Sequence, residues 1–194
     1  MANGAVEVSI GWHVVVALTA AAFLLGVRPQ KRSAATALSI PVASVGVVSL
    51  AFGNPFNGAV FSLLAIGLAL LSRRAPDGHV ALASNRWVAL GSALIVFGLV
   101  YPHFLDGAPY KYLYAAPVGT IPCPTLALVV GAALVADGFG LGAWRLCLAA
   151  VACFYGLFGA VRLGVLIDLV LLCGAVGLVV QHRNLRIADL NLVH

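Results

Sequence analysis

The chain has 194 residues, of which 62 % are apolar and only 9 % carry a charge, and its mean hydropathy is +1.07. A soluble domain of this length could not bury so much apolar surface in one core, whereas a bilayer covers the outer surface of every helix. The composition therefore predicts an all-α, polytopic integral membrane protein. The net charge of +5 is divided among short basic clusters between apolar runs, a pattern of topology signals that excludes a nucleic-acid partner.

The N-terminus has neither the basic stretch nor the small-residue cleavage site of a signal peptide, and its first charge is Glu7. The first apolar run is therefore expected to stay in the protein. About 20 apolar residues cross a bilayer, and seven runs meet this requirement within a single transmembrane domain, residues 1–194. The predicted spans cover about residues 10–27, 34–53, 58–72, 87–105, 120–136, 144–160 and 163–181.

The basic residues predict how these spans are threaded. Nine of the eleven lysines and arginines obey the positive-inside rule if the N-terminus is outside and the C-terminus inside, which leaves only Lys111 and Arg162 on the outer side. An odd number of spans is required, in agreement with seven. The nine inner residues are Arg28, Lys31, Arg32, Arg73, Arg74, Arg86, Arg145, Arg183 and Arg186.

This threading brings most of the unusual polar residues to the outer face. The stretch 101–125, between two apolar runs, is especially rich in proline, tyrosine and titratable side chains. Asn54 and Asn57 fall in another outer turn. The candidate residues for substrate binding or proton handling are His13, His103, Asp106, Cys123, Arg162 and Asp168. The inner half of the spans is almost entirely apolar.

Asp168 is the most informative single residue. It lies about five residues into an apolar run, roughly 8 Å along a helix, where an unpaired carboxylate is costly and marks a functional site by default. Its expected partner is Arg162, if the turn at residues 159–164 folds back, or else His13. The alternative to a functional role is an arginine–aspartate pair that locks two helices together.

The histidines have structural interpretations as well. His13 follows Trp12, as in an interfacial aromatic anchor, and His103 follows Tyr101-Pro102, where a span is expected to end. His13, His103, Asp106 and Cys123 are chemically suitable ligands for zinc or copper. No HxxxH or HxxE spacing supports a preformed site, so neither a metal nor a cofactor is indicated.

Cys123 is the one cysteine with a reactive interpretation. It lies in Pro122-Cys123-Pro124, which is expected to enter the fifth span as a rigid extended segment, with Thr125 as the helix cap. A thiol at a helix N-terminus has a lowered pKa, while a purely structural role is the alternative. Cys147, Cys153 and Cys173 lie in apolar runs and are expected to be small buried hydrophobes. Pro41 is expected to kink the second span.

Several motifs of the second half resemble a known family: Tyr101-Pro102 at the end of one span, Pro122-Cys123-Pro124-Thr125 at the start of the next, and the segment from Gly159 to Asp168-Leu169. The family comprises small bacterial multi-span membrane proteins catalogued as domain of unknown function 6064. The resemblance implies a multi-pass protein of the bacterial cytoplasmic (inner) membrane and draws attention to Cys123 and Asp168. It implies no activity.

Three functions are compatible with these features. The first is a small permease or carrier for an ion or small molecule, with an outer vestibule. The second is a membrane-embedded enzyme acting on a lipid or isoprenoid-like substrate, with Asp168, His13 or His103 as general acid or base. The third is a non-catalytic subunit of a membrane complex. The expected partners are the lipid bilayer and a small-molecule or lipid ligand, and self-association stays open.

Overall fold

The computed structural model describes the backbone of residues 1–191 and the side chains of residues 1–184. These residues are helical and contain no strand, apart from one isolated antiparallel bridge between Gln30 and His79. The side chain of Arg186, part of the predicted topology signal, lies outside the described residues. The helices are α1 (Val6–Leu24), α2 (Lys31–Ala37), α3 (Ser39–Ala51), α4 (Pro55–Ser72), α5 (Asn85–Leu99), α6 (Tyr112–Ala115), α7 (Pro122–Val135), α8 (Gly142–Arg162) and α9 (Val170–Asn191).

Five helical segments are long and apolar enough to cross a membrane, which confirms the prediction of a helical membrane protein. They are Asn3–Leu24, Lys31–Ala51, Pro55–Ser72, Gly142–Arg162 and Leu166–Asn184. The two other predicted spans form the shorter apolar helices α5 and α7, of 15 and 14 residues. At 1.5 Å per residue they measure about 22 and about 21 Å, less than the hydrocarbon thickness of about 30 Å.

The two short helices pack along each other, with α7 at the centre of the bundle, and α3 packs along α4 and α8 along α9. Twelve of the 14 residues of α7 are buried. A Cβ atom on Gly91 of α5 would lie 2.5 Å from the carbonyl oxygen of Gly131 of α7, and the converse distance is the same. Small residues at such a crossing let two backbones approach closely, as is common in lipid.

The fourth predicted span, about residues 87–105, is wrong at its end, because α5 stops at Leu99. The residue before a proline is disfavoured in the helical conformation, so Pro102 keeps Tyr101 out of a helix, and α5 has already ended at Leu99. The Tyr101 side chain is fully buried. The chain that follows α5 is therefore a loop that begins beside the core rather than the last turn of a helix.

The break predicted at Pro41 is present in the second span. Helix α2 ends at Ala37 and α3 begins at Ser39, so the helical hydrogen bonding is interrupted at Leu38. Proline has no N–H group to donate to the carbonyl four residues earlier, which here belongs to Ala37. The interruption therefore follows from a single residue.

Residues 116–121 form a buried irregular segment that leads into α7. Its backbone is hydrogen-bonded by side chains from other elements: Ser44 donates to the carbonyl of Gly119 at 2.7 Å, and the Gly119 N–H donates to Thr125 Oγ1 at 2.8 Å. Non-helical backbone at membrane depth is tolerated where protein surrounds it and satisfies its polar groups. This segment extends the short central helix toward one end of the bundle.

Candidate functional site

Asp168 lies in a short 3-10 turn, Leu166–Leu169, directly before α9, and is only 1 % exposed. The Tyr101 hydroxyl donates a hydrogen bond to its Oδ1 atom at 2.6 Å, and the Cys123 thiol donates to Oδ2 at 3.1 Å. The carboxylate thus joins the loop after α5, the first turn of α7 and the start of the last helical segment. A carboxylate at such a position is costly unless it is hydrogen-bonded, and it is a functional-site candidate by default.

The turn between α8 and α9 brings Asp168 to this position. Gly164 has φ +70°, a conformation that glycine adopts without steric cost, and the Val165 N–H donates to the Gly159 carbonyl at 2.9 Å. The chain thereby folds back along the end of α8. The Asp168 carboxylate rests directly on Gly159 and leaves no room there for a Cβ atom. Gly159 is therefore part of the site, because the absence of a Cβ atom at this position makes room for the carboxylate.

Cys123 reaches Asp168 from the first turn of α7. The sequence predicted an extended entry with Thr125 as the cap, and this is wrong because the helix begins at Pro122. The first N–H groups of a helix have no intrahelical partner, so prolines in the first turn remove no bond. Thr125 instead donates to the Ile121 carbonyl at 2.7 Å. The thiol is 6 % exposed.

Tyr101 is held by two neighbouring rings. Phe97 contacts it edge to face at a centroid distance of 5.4 Å, and Phe104 stacks on it at 6.0 Å. Phe104 has φ +74°, which is uncommon for a residue other than glycine and costs roughly 1–3 kcal/mol. Such backbone strain persists where surrounding structure enforces it and clusters at functional sites. The loop after α5 is therefore held in a costly conformation beside the Asp168 carboxylate.

A cavity of about 330 Å³ adjoins this cluster, and Asp168 and Cys123 both line it. Three further polar side chains line the cavity, Asn54, Asn57 and Tyr155, and the Tyr155 hydroxyl donates to Asn57 Oδ1 at 2.8 Å. Most of the exposed wall is apolar. The cavity therefore offers a small number of polar contacts to a ligand with an apolar body, the usual composition of a small-molecule site.

The structure brings neither expected cationic partner into hydrogen-bonding contact with Asp168. Arg162, at the end of α8, is exposed, and no ion pair involves Asp168 among the residues whose side chains are described. His13 binds elsewhere: its Nδ1 lies 2.9 Å from the Ser9 carbonyl oxygen, and its Nε2 lies 2.9 Å from that of Leu99. His13 thus connects α1 to the end of α5.

The two remaining candidate residues lie in the loop after α5. Asp106 and Asn3 form reciprocal hydrogen bonds, in which Asn3 Nδ2 donates to Asp106 Oδ2 at 2.6 Å and the Asp106 N–H donates to Asn3 Oδ1 at 3.1 Å. His103 is exposed and contacts the Phe104 ring at a centroid distance of 4.3 Å. Asp106 therefore connects the loop to the N-terminal segment, while His103 packs against Phe104, which lines the cavity.

The other three cysteines were predicted to be buried, and two of these predictions are wrong. Cys147 and Cys173 are exposed on the outer surface of the bundle, and Cys153 is half-buried. Each lies in a helix long and apolar enough to cross a membrane, so an apolar environment at these positions comes from lipid rather than from the protein core. Among the described side chains, no group of three or more histidine, cysteine or acidic residues is placed to hold a metal ion.

A second group of charges lies at the opposite end of the bundle. Arg145 was predicted as an inner-surface charge, but it is only 2 % exposed, and its Nε and Nη1 atoms have no hydrogen-bond partner among the described residues. Its side chain covers Gly138, which has φ +54°. Burial raises the pKa of the Asp137 carboxyl, which lies outside the spanning helices, and the nearby Arg145 and Lys31 charges oppose that rise.

Three parts of the site were not among the sequence candidates. Tyr101 was read only as the end of a span, Gly159 as a small packing residue, and Tyr155 was not singled out. Their roles depend on contacts between residues distant in sequence, such as Tyr101 with Asp168. The one local signal was Tyr101-Pro102, since a proline at the predicted end of a span forces the preceding residue out of the helix.

Comparison with known proteins gives no relative for this chain: no family model, no curated protein and no solved structure matches it. The resemblance to domain of unknown function 6064 therefore stays a prediction.

Proposed function

We propose that the chain crosses the cytoplasmic membrane of a bacterium seven times, with its N-terminus outside. The arrangement of helix ends supports this threading. The start of α4 (Asn57), the end of α8 (Gly159) and the turn before α9 (Asp168) meet at one end with Tyr101 and Cys123. The short helices α5 and α7 therefore run between the same two ends as the longer helices.

Contacts at the opposite end support the same threading. Arg32 of α2 donates to the carbonyl of Arg73, just after α4, at 2.9 Å. The N–H of Ala83, just before α5, donates to the carbonyl of Val135 at the end of α7, also at 2.9 Å. Each of these connections is one that the basic residues assign to the inner face.

The threading can be tested with single cysteines placed in a variant whose four native cysteines are replaced by alanine. In intact cells, a membrane-impermeant maleimide should label the variant carrying Ala108→Cys and leave the variant carrying Ser84→Cys unlabelled. Labelling of the Ser84→Cys variant instead would reverse the proposed orientation.

For the function itself, we propose a small carrier in which Asp168 binds an ion or small molecule that enters from the outer side. The observation that supports this best is the Asp168 carboxylate at the wall of a 330 Å³ cavity, with neutral donors on both oxygens and no ion pair among the described residues. Ionisable residues at membrane depth that lack a structural ion pair mark substrate and ion pathways.

One observation favours a membrane-embedded enzyme as the second candidate. The Cys123 thiol, as a nucleophile, lies 3.1 Å from Oδ2 of Asp168, as its base. The Tyr101 hydroxyl, which orients that base, lies 2.6 Å from Oδ1 of the same carboxylate. Cys123 and Asp168 both line a cavity with a largely apolar wall, which suits a lipid or isoprenoid-like substrate. An enzyme needs access to this cavity from one side only, whereas a carrier must open it to both.

That difference provides a test that needs no knowledge of the substrate. With Cys147, Cys153 and Cys173 replaced by alanine, Cys123 is the remaining cysteine, and its modification shows whether a reagent can reach the cavity. A carrier predicts that an impermeant thiol reagent modifies Cys123 both in right-side-out and in inside-out vesicles. Modification from the outer side alone would contradict the carrier and leave the enzyme, or a subunit with a one-sided docking cavity. The Ala108→Cys and Ser84→Cys variants control for vesicle orientation.

A further inference from the structure

Four aromatic rings from three parts of the chain line the cavity beside Asp168. Phe52 follows α3, Phe104 lies in the loop after α5, and Tyr155 and Phe158 lie one turn apart on α8, and all four line the cavity. Phe52, Phe104 and Phe158 keep 47 %, 37 % and 37 % of their surface exposed. These three rings are therefore only partly covered by the rest of the protein.

The carboxylate has unused hydrogen-bonding capacity. Two carboxylate oxygens offer about four acceptor positions, and the hydrogen bonds from Tyr101 and Cys123 use two of them. Both donors are neutral groups, so neither cancels a negative charge. Met1 also lines the cavity, but neither its amino group nor any other described cation forms an ion pair with Asp168.

The chemistry of the wall selects among ligand classes. An anion is disfavoured because a carboxylate lies on the cavity wall and no lysine or arginine among the described side chains lines it. A hard metal ion needs more oxygen ligands than one carboxylate and the amide oxygens of Asn54 and Asn57 supply. A cation with apolar substituents matches both components, because aromatic faces attract such cations within about 6 Å and the carboxylate supplies the counter-charge.

We propose that this cavity binds a small organic ammonium ion, with the charged nitrogen between Asp168 and the rings of Phe104, Tyr155 and Phe158. The inference rests on the proposed function, in which Asp168 is the ligand-binding residue, and adds the class of ligand. Tyr101 and Cys123 act as positioning residues, since their hydrogen bonds fix the two oxygens of the carboxylate at the cavity wall.

Isothermal titration calorimetry on the full-length protein in lipid nanodiscs tests this directly. The probes are choline and 3,3-dimethylbutan-1-ol, which has nearly the same shape but carries no charge. Choline should bind at least about tenfold more tightly, because only the charged probe gains from the carboxylate and the ring faces. The preference should disappear in Asp168→Asn and decrease in Phe158→Leu. It should persist in Asp77→Asn, which removes an exposed carboxylate remote from the cavity.

Equal binding of the two probes, a preference that survives in Asp168→Asn, or no binding of either probe would each overturn the ligand class. Failure of the ligand class and failure of the carrier can be told apart. If choline binds through Asp168 but Cys123 is modified from the outer side only, the carrier is wrong and the ligand class stands. If Cys123 is modified from both sides but choline has no advantage, the ligand class is wrong and the carrier stands.

Discussion

Gly159 and Asp168 are in direct contact: the carboxylate of Asp168 occupies the space that a Cβ atom on residue 159 would need. The position of the carboxylate beside Tyr101 and Cys123 therefore depends on a glycine in the neighbouring helix. Since α8 is otherwise regular here, the glycine serves the approach of Asp168 rather than a bend of the helix.

Gly159→Ala should displace the carboxylate and lower the free energy of unfolding by about 1–3 kcal/mol, the usual cost of overfilling a packed site. Gly67→Ala is the matched control, because nothing lies within 4 Å of a Cβ atom at that position of α4. It should leave stability unchanged or raise it by up to about 1 kcal/mol, since alanine is the better helix former. Denaturant unfolding in detergent micelles measures both. Equal effects of the two substitutions would show that the contact carries no strain.

Tyr101→Phe removes one of the two hydrogen-bond donors to a buried carboxylate. The ring and its contacts with Phe97 and Phe104 stay, so the loss isolates the hydroxyl. The free energy of unfolding should fall by about 1–3 kcal/mol, because the acceptor is left partly unsatisfied. Tyr110→Phe, at a residue 62 % exposed, should change it by less than about 0.5 kcal/mol. If Tyr101→Phe were as mild as its control, the hydrogen bond to Asp168 would not be important for stability.

Asp137 makes stability depend on pH at the other end of the bundle. Burial raises the pKa of this carboxyl in the folded protein, so the folded state takes up the proton at higher pH than the unfolded state does. The penalty for its charge is therefore full at neutral pH and fades as the pH falls through the raised pKa toward the unfolded value. Asp137→Asn should gain most in stability over the original protein at pH 7, and the gain should shrink toward pH 4.

The melting temperatures of the two proteins, measured between pH 7 and pH 4 in one detergent, test this prediction. Asp77→Asn is the control, because Asp77 is exposed and its substitution should give a difference that does not follow this pattern. A difference for Asp137→Asn that is constant with pH, or that grows as the pH falls, would contradict the assigned direction.

Composition and periodicity predict the helical membrane class because apolar runs of this length are typical of helices that cross a bilayer. They also place the turn at Asn54 and the break at Pro41, which depend on local backbone chemistry. Asp168 was identified as a candidate because a carboxylate in an apolar run is conspicuous. Its partners could not be predicted in this way. Tyr101 and Cys123 lie 67 and 45 residues away, and contacts at such separations depend on how the helices pack.

The end of α5 is a second feature that hydropathy alone predicts incorrectly. Hydropathy continues through residue 105, so the sequence predicts a longer helix, but Pro102 excludes a helix at Tyr101 and α5 ends at Leu99. Arg162 was the nearest cation to Asp168 in sequence, yet it lies exposed at the end of α8. Proximity along the chain is a poor guide to pairing when a turn reverses direction between the two residues.

The central claim is that Asp168 presents an uncompensated negative charge to the cavity, and the charge preference of Cys123 modification measures this most directly. With Cys147, Cys153 and Cys173 replaced by alanine, the rate of modification is compared for a trimethylammonium-ethyl and a sulfonatoethyl methanethiosulfonate, relative to the same pair reacting with free 2-mercaptoethanol. Any effect of a substitution on the thiol itself cancels in the ratio of the two rates.

The account predicts that the cationic reagent is favoured well beyond its preference for the free thiol, that this excess disappears in Asp168→Asn, and that it persists in Arg162→Gln. If the ratio of the two modification rates were the same in the original protein, in Asp168→Asn and for free 2-mercaptoethanol, the account would be contradicted. Asp168 would then be a neutral, structural residue.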